Sequence, residues 1–264
     1  MKKPTLLILL FLSFIFLTCK NNLEANNTKE KQVLENQIDP LIAIEVEQQK
    51  DLANAYYYVL APNGLSFRKE DNLNSEKLLT LPLGSKVKQT APIYTIDLTV
   101  ENINGSMMEV LYNGKTGYVF SGFLSKYPPL EIDEDFKSYI IRLKKINSNV
   151  EYEEKETPPD FHEGIIETTT LPNVVWHEAF YLAKAAYTIP NSLSFPKHQG
   201  NDEETIKQKD KEDRVWSSEL TVSRKFSKLD TIRYNWRAEA TGYFVIITEP
   251  KINEFKIEYT GFAD

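Results

Sequence analysis

Three turn signals divide residues 56–127 into short segments, and they constrain the fold of this part of the chain most strongly. They are Pro62-Asn63-Gly64, Pro82-Leu83-Gly84 and Asn113-Gly114. The last is the strongest hairpin signal, because Asn and Gly both accept positive φ. Short strands with frequent turns predict a small β-barrel over residues 54–127. Apolar residues spaced like those of half-buried strands are Val59, Leu65, Phe67, Leu79, Leu81, Val87, Val110, Val119 and Leu124.

Three motifs in this region resemble those of one family. Gly64-Leu65-Ser66-Phe67-Arg68, "LTLPLGSKV" and "NGKTGYVFSGFLS" resemble, in order and spacing, the signature elements of bacterial SH3 (SH3b) domains. Ser66 replaces the Asn of the family signature, and Met107 and Met108 stand where the family commonly has Trp. The segment "APIYTIDLTVENINGS" is longer than the usual connecting loop. The resemblance implies an SH3-like barrel of about 70 residues.

The resemblance also implies a kind of partner. Bacterial SH3 domains are often attached to cell-wall hydrolases or envelope proteins. Some bind peptidoglycan peptides, and others recognise protein segments or act as spacers. Exposed aromatic rings suit stacking on sugars or peptides, although each ring is also explained by core or strand-pair packing. The candidate ligand-binding residues are Arg68, Tyr94, Tyr112, Tyr118 and Phe123.

The start of the chain predicts export. Two lysines precede an almost unbroken apolar run over residues 6–17, which is too short for a comfortable transmembrane helix and fits a secretory signal over residues 1–18. Cys19, the single cysteine, resembles the acylated cysteine of bacterial lipoproteins, although Phe16 departs from that family's pattern. We expect a lipid-anchored, flexible stalk over residues 19–50, rich in Asn, Lys and Glu. An ordinary cleaved signal and an uncleaved anchor are the alternatives.

The net charge of −7 argues against a nucleic-acid partner, which calls for a basic patch. The two resemblances imply as partners a membrane, reached through the N-terminal lipid, and a cell-wall peptide or an envelope or host protein. The oligomeric state stays open.

Residues 130–264 predict an α+β domain that resembles no family. "SYIIRLKKI" and "GIIETTT" are typical of strands, the acidic "EYEEKETPPDFHEG" and the charged "GNDEETIKQKDKEDR" indicate loops, and "VWHEAFYLAKAAY" has helical spacing. Four final segments predict an antiparallel meander, buried on one face and covered by the helix. The expected fold class is mainly β: a small SH3-like barrel followed by an α+β domain with a meander and one helix. The four segments are "VWSSELTVSRKF", "DTIRYNWRAEA", "GYFVIITEP" and "NEFKIEYTGF".

The residues that could carry chemistry form no complete motif. His177-Glu178 begins like a His-Glu-x-x-His metalloprotease helix, but Tyr181 stands where the second His is required. The sequence has no Gly-x-Ser-x-Gly elbow and no phosphate-binding loop. We therefore expect no catalytic residues, no metal and no cofactor, and predict a non-catalytic envelope lipoprotein. A cell-wall hydrolase with an unrecognised C-terminal catalytic domain and a structural part of an envelope complex remain the alternatives.

Overall fold

A computed structural model describes residues 55–92, 98–158 and 164–263. These residues belong to one compact unit that spans Gln49–Asp264. The predicted signal peptide and stalk, with Cys19, lie outside the described residues, as does Tyr94.

The turn signals connect short strands that form an antiparallel N-terminal sheet. Its seven strands lie in the order β3-β2-β8-β7-β4-β1-β9. A separate two-stranded hairpin, β5–β6, leaves it between β4 and β7. A 3₁₀ turn at Ser121–Phe123 precedes the last strand. The strands are β1 Tyr56–Val59, β2 Leu65–Arg68, β3 Lys77–Leu81, β4 Lys86–Gln89, β5 Leu98–Val100, β6 Ile103–Gly105, β7 Met107–Tyr112, β8 Lys115–Phe120 and β9 Leu124–Ser125.

Glycines make the tight turns of this sheet. Asn113 and Gly114 have φ of 48° and 77° and form the two-residue connection between β7 and β8. Gly64 has φ of 82°, and a β-carbon there would lie 2.5 Å from Cγ2 of Thr80, so the signature glycine answers both a backbone and a packing requirement. After it, Leu65 and Phe67 are buried, as the alternation predicts.

The C-terminal sheet is also antiparallel and has longer, regular strands. Its order is β10-β11-β16-β15-β14-β13-β12, so β13–β16 form the predicted meander. Two helices accompany it: α1, Phe136–Ile146, and α2, Trp176–Ala186. The fold class is as predicted, mainly β with an antiparallel meander and a helix, although a second helix is present. The strands are β10 Glu151–Glu156, β11 Gly164–Pro172, β12 Glu203–Lys207, β13 Val215–Lys225, β14 Lys228–Ala238, β15 Thr241–Lys251 and β16 Glu254–Ala263.

Helix α1 corrects the strand predicted for "SYIIRLKKI". The carboxylate of Asp135 accepts a hydrogen bond from the Ser138 amide at 3.0 Å and caps the helix N-terminus. Tyr139, Ile140 and Leu143 are buried at helical spacing. The two adjacent isoleucines suggested a strand, but burial of one helical stripe overrides their β preference.

Two segments predicted as loops contain edge strands. β10 lies within the acidic segment and pairs with β11 from Glu151 to Glu156. β12 lies within the charged segment and pairs with β13 from Glu203 to Lys207. Both occupy edges of the C-terminal sheet, where charged side chains are common because they discourage pairing with another chain.

One hydrophobic core runs through both sheets. The ring of Phe123, beside the N-terminal sheet, lies 5.5 Å from the ring of Tyr181 on α2. The hydroxyl of Tyr127 donates to the carbonyl oxygen of Pro172 at 2.9 Å. The predicted boundary between residues 127 and 130 is thus crossed by buried contacts, and the division into two domains stays a prediction.

Candidate functional site

A groove of about 180 Å³ lies against the outward side of β2. Ser66 and Arg68 point away from the buried side chains of β2 and help to line it. The turn at residues 61–64 forms one wall, and Leu73 and the β5–β6 turn contribute others. Its volume is close to that of a cavity that holds one aromatic ring, so it suits a side chain or a short peptide rather than a large cofactor.

The floor of the groove is aromatic. Phe120 and Phe123 line it, with ring centroids 5.9 Å apart in an edge-to-face arrangement. Two glycines let neighbouring backbone approach Phe120: a β-carbon on Gly105 would lie 2.9 Å from this ring, and one on Gly122 would lie 2.5 Å from it. At these distances, a side chain at position 105 or 122 would clash with the Phe120 ring unless the ring moved. The ring's present position at the groove floor therefore requires glycine at both positions.

The β5–β6 hairpin forms the opposite rim. Its two turn residues, Glu101 and Asn102, have φ of 49° and 66°. Asn102 donates from Nδ2 to the carbonyl oxygen of Phe195 at 3.0 Å, which ties the hairpin to the C-terminal part of the protein. The rim therefore has a fixed position that holds the exposed Glu101 at the groove.

The groove carries both signs of charge. Arg68 lines it as a cation, and one guanidinium nitrogen (Nη1) donates to the carbonyl oxygen of Ser75 at 2.7 Å, which orients the side chain. Glu101 lines it as an anion. A guanidinium has five N–H donors arranged to pair with carboxylates. An apolar floor between a cation and an anion can accept a zwitterionic or mixed-charge peptide segment.

The structure places two of the five predicted ligand residues, Arg68 and Phe123, in this groove. Tyr118 lies beside it, since it is the strand partner of Arg68 on the outward side. Its hydroxyl donates to Oε2 of Glu109 at 3.0 Å, and that hydrogen bond raises the pKa of Tyr118. Thr90 donates to the other oxygen of Glu109 at 2.6 Å. Together they form a polar row next to the groove.

Tyr112 is not part of the groove. It alternates with Glu109 and Leu111 along β7, so it shares a side with the buried Val110, and it packs against the core. Packing against the core therefore accounts for the aromatic ring at position 112. The position of Tyr94 lies outside the described residues.

The groove residues that were not predicted as ligand residues include Leu73, Val100, Glu101 and Phe120. Glu101 belongs to a segment whose unusual length was evident, and that length was the available signal. Phe120 follows Val119 in a strand, and alternation alone would expose it. Gly105 and Gly122 pack close to its ring, and Phe120 is buried in the core.

His177 and Glu178 do not assemble a metalloprotease-like site. His177 lies against the ring of Phe195, and His198 packs on that ring as well, at centroid distances of 6.1 and 5.4 Å. Burial lowers the pKa of His177 to about 4, and the nearby His198 adds to this. Glu178 instead accepts a hydrogen bond from the Val175 amide at 3.0 Å at the start of α2. Burial raises the pKa of Glu178 to about 7, opposed by a hydrogen bond from Ser125.

Lys184 on α2 is buried, and its ammonium donates to the carbonyl oxygen of Leu193 at 2.7 Å. Burial lowers its pKa to about 8, while the negative charge of Glu101 opposes the decrease. The hydrogen bond from this lysine holds the chain that follows α2 in place.

Within residues 55–92, 98–158 and 164–263, no three His, Cys, Asp or Glu side chains come together in a metal-binding arrangement. No helix in those ranges has both the length and the apolar character needed to cross a bilayer. Comparisons with protein-family models, curated proteins and solved structures find no match to this chain.

Proposed function

We propose that this protein is a non-catalytic bacterial envelope lipoprotein, anchored through Cys19, whose groove beside Arg68 binds a short cell-wall peptide. The observation that carries the proposal is the pairing of a cation and an anion over an aromatic floor. Peptidoglycan stem peptides are short and carry carboxylate and amine groups, so they match that charge pattern. The resemblance of this region to bacterial SH3 domains supports the same ligand class.

Each groove residue has a role in this proposal. Arg68 pairs with a peptide carboxylate, using guanidinium donors other than the one directed to Ser75. Glu101 accepts from a peptide amine on the opposite rim. Phe120 and Phe123 contact the aliphatic part of the peptide. Hydrogen bonds orient the Arg68 side chain and tie the rim that carries Glu101 to the C-terminal part of the protein.

Sedimentation of the purified full-length protein with insoluble peptidoglycan tests the proposal. We expect the wild-type protein to sediment with the wall and Arg68→Gln to bind about tenfold more weakly, the usual range for losing a hydrogen bond to a charged group. Lys69→Gln is the matched control: it removes the same charge from the neighbouring exposed position. Equal binding by both variants would remove Arg68 from the site.

Failure of the wild-type protein to sediment would exclude the cell wall and leave an envelope or host protein segment as the ligand. Release of soluble muropeptides during the same incubation would instead favour the alternative of a hydrolase.

Fractionation of Cys19→Ser tests the anchor separately: we expect this variant to move from the membrane to the soluble fraction. Unchanged fractionation would show that the apolar run itself holds the protein.

A further inference from the structure

Two hairpin turns of the C-terminal sheet expose large apolar side chains. Phe226, between β13 and β14, is 96% exposed, and Ile252, between β15 and β16, is 88% exposed. Single exposed apolar residues are common on protein surfaces. These two differ because each lies at the tip of a projecting turn.

Strand register places both tips at the same end of the sheet. Thr231 of β14 pairs with Thr248 of β15. Phe226 lies five residues before Thr231, and Ile252 lies four residues after Thr248, so the two hairpins project to nearly the same level. Adjacent hairpins are about 10 Å apart, because each strand spacing is about 4.8 Å. The two apolar side chains therefore form one pair at one end of the meander, which we name the apolar tips.

The turn at the first tip has a backbone conformation that is unfavourable for the residues it contains. Phe226 and Ser227 form a two-residue connection between the paired Lys225 and Lys228, with φ of 51° and 61°. Such turns strongly prefer Asn-Gly, and a bulky residue at positive φ is uncommon. Neither burial nor packing explains a phenylalanine at this position, which points to a partner outside the chain.

Lysines beside both tips are paired with carboxylates, and Lys228, which follows the first tip, adds one positive charge. Lys225 pairs with Asp230 at 3.0 Å, and Lys251 pairs with Glu254 at 3.0 Å. The whole chain carries a net charge of −7, which opposes attraction to an anionic surface. A near-neutral end with two projecting apolar side chains suits a surface that receives apolar groups without requiring charge.

We propose that the apolar tips insert into the headgroup–acyl boundary of a lipid bilayer, so that this end of the meander faces the membrane. A protein partner is disfavoured because stable interfaces need a continuous contact of about 1,000 Å² or more, whereas two isolated side chains flanked by lysines present little area. Fluid lipid closes around each side chain separately, and the lysine stems can lie along the apolar region with their ammonium groups in water. The inference draws on the proposed anchor for proximity to the bilayer, since two side chains alone bind weakly.

Lipid-quenching fluorescence tests the position of the tips in the full-length protein. The protein is reconstituted in phosphatidylcholine vesicles whose acyl chains carry bromine at a shallow or a deep carbon. In Phe226→Trp, we expect an extra loss of emission with shallow bromines, beyond that of the wild-type protein. The native Trp216 serves as an internal control, because it is 56% exposed where β13 begins, at the opposite end.

Ala240→Trp is the matched variant, since residue 240 is exposed between β14 and β15 at the opposite end of the same meander. We expect no extra loss of emission there. Adding Ile252→Ser to Phe226→Trp removes the second tip and should reduce the quenching.

Equal quenching at positions 226 and 240, or none at either, overturns the proposal. So does a dimer of the wild-type protein in solution that Phe226→Ser dissociates, because a second copy would then cover the tips. Fractionation of Cys19→Ser measures the anchor independently of these results.

Discussion

The two sheets reach stability by different means. The N-terminal sheet has strands of two to six residues and depends on a few glycines where backbone or rings come very close, such as Gly64 and Gly122. The meander strands β13–β16 have 10 or 11 residues and depend on regular alternation of buried and solvent-facing side chains. A short-stranded sheet is therefore sensitive at particular backbone positions, whereas a long-stranded sheet distributes its burial over many side chains.

The largest effect is expected for Phe67→Asp in the N-terminal sheet. Phe67 is fully buried, and a charge there adds desolvation to the lost ring, for a loss of roughly 5 kcal/mol or more. Thermal melting followed by circular dichroism should show no cooperative transition. Ser66→Asp, on the outward side of the same strand, is the control and should melt like the wild-type protein. A cooperative melt in Phe67→Asp would contradict the assigned core position.

Phe180→Ala tests the core that the sheets share. Phe180 is fully buried on α2 and packs against Phe195 and Tyr181, so we expect a loss of about 3–5 kcal/mol in urea unfolding. Because Tyr181 also contacts Phe123, unfolding should remain a single transition. Two separate transitions would show that the sheets fold independently, as the predicted domain boundary implies.

Gly122→Ala tests how strongly the stability of the N-terminal sheet depends on a closely packed glycine. The added methyl group would overlap the ring of Phe120, which costs about 1–3 kcal/mol and disturbs the groove floor. In contrast, Gly114→Ala meets open space and should cost only about 1 kcal/mol through its positive φ. Chemical denaturation of both variants gives the comparison. Wild-type stability in Gly122→Ala would mean that the ring has room to move.

The smallest effect concerns pH. The pKa of Glu178 is raised from 4.5 to about 7, so between these values the folded protein binds more protons than the unfolded chain. The contribution of Glu178 to the free energy of unfolding therefore decreases as pH rises through this range. Glu178→Gln keeps an acceptor for the Val175 amide and removes the ionisation, so we expect about 1 kcal/mol of extra stability at pH 8 and no gain near pH 4. An identical gain at both pH values would assign the effect to something other than ionisation.

Sequence patterns predicted the elements whose signals are local. The meander followed from alternation, as in Ile232, Tyr234 and Trp236, and α2 followed from helical spacing. Helix α1 was predicted as a strand because its isoleucines favour strands, while its Asp135 cap was overlooked.

The groove was predictable only in part, because its members come from separate places in the chain. Arg68 belongs to the first motif of the family resemblance, and Phe123 belongs to its closing motif. Glu101 enters through the hairpin that Asn102 ties to Phe195, a contact between residues 93 positions apart that no local pattern encodes.

The two charged edge strands, β10 and β12, affect whether the sheets of neighbouring copies of the chain can pair with each other. β10 carries four glutamates and one lysine, and β12 carries two glutamates and one lysine, so both edges are negative. The proposed lipid anchor would confine copies to a plane, where they would approach one another sideways more often than copies in solution. Edge-to-edge pairing would bring like charges into register and is disfavoured. The like charge of both edges thus disfavours extension of the sheets of neighbouring copies into a fibre.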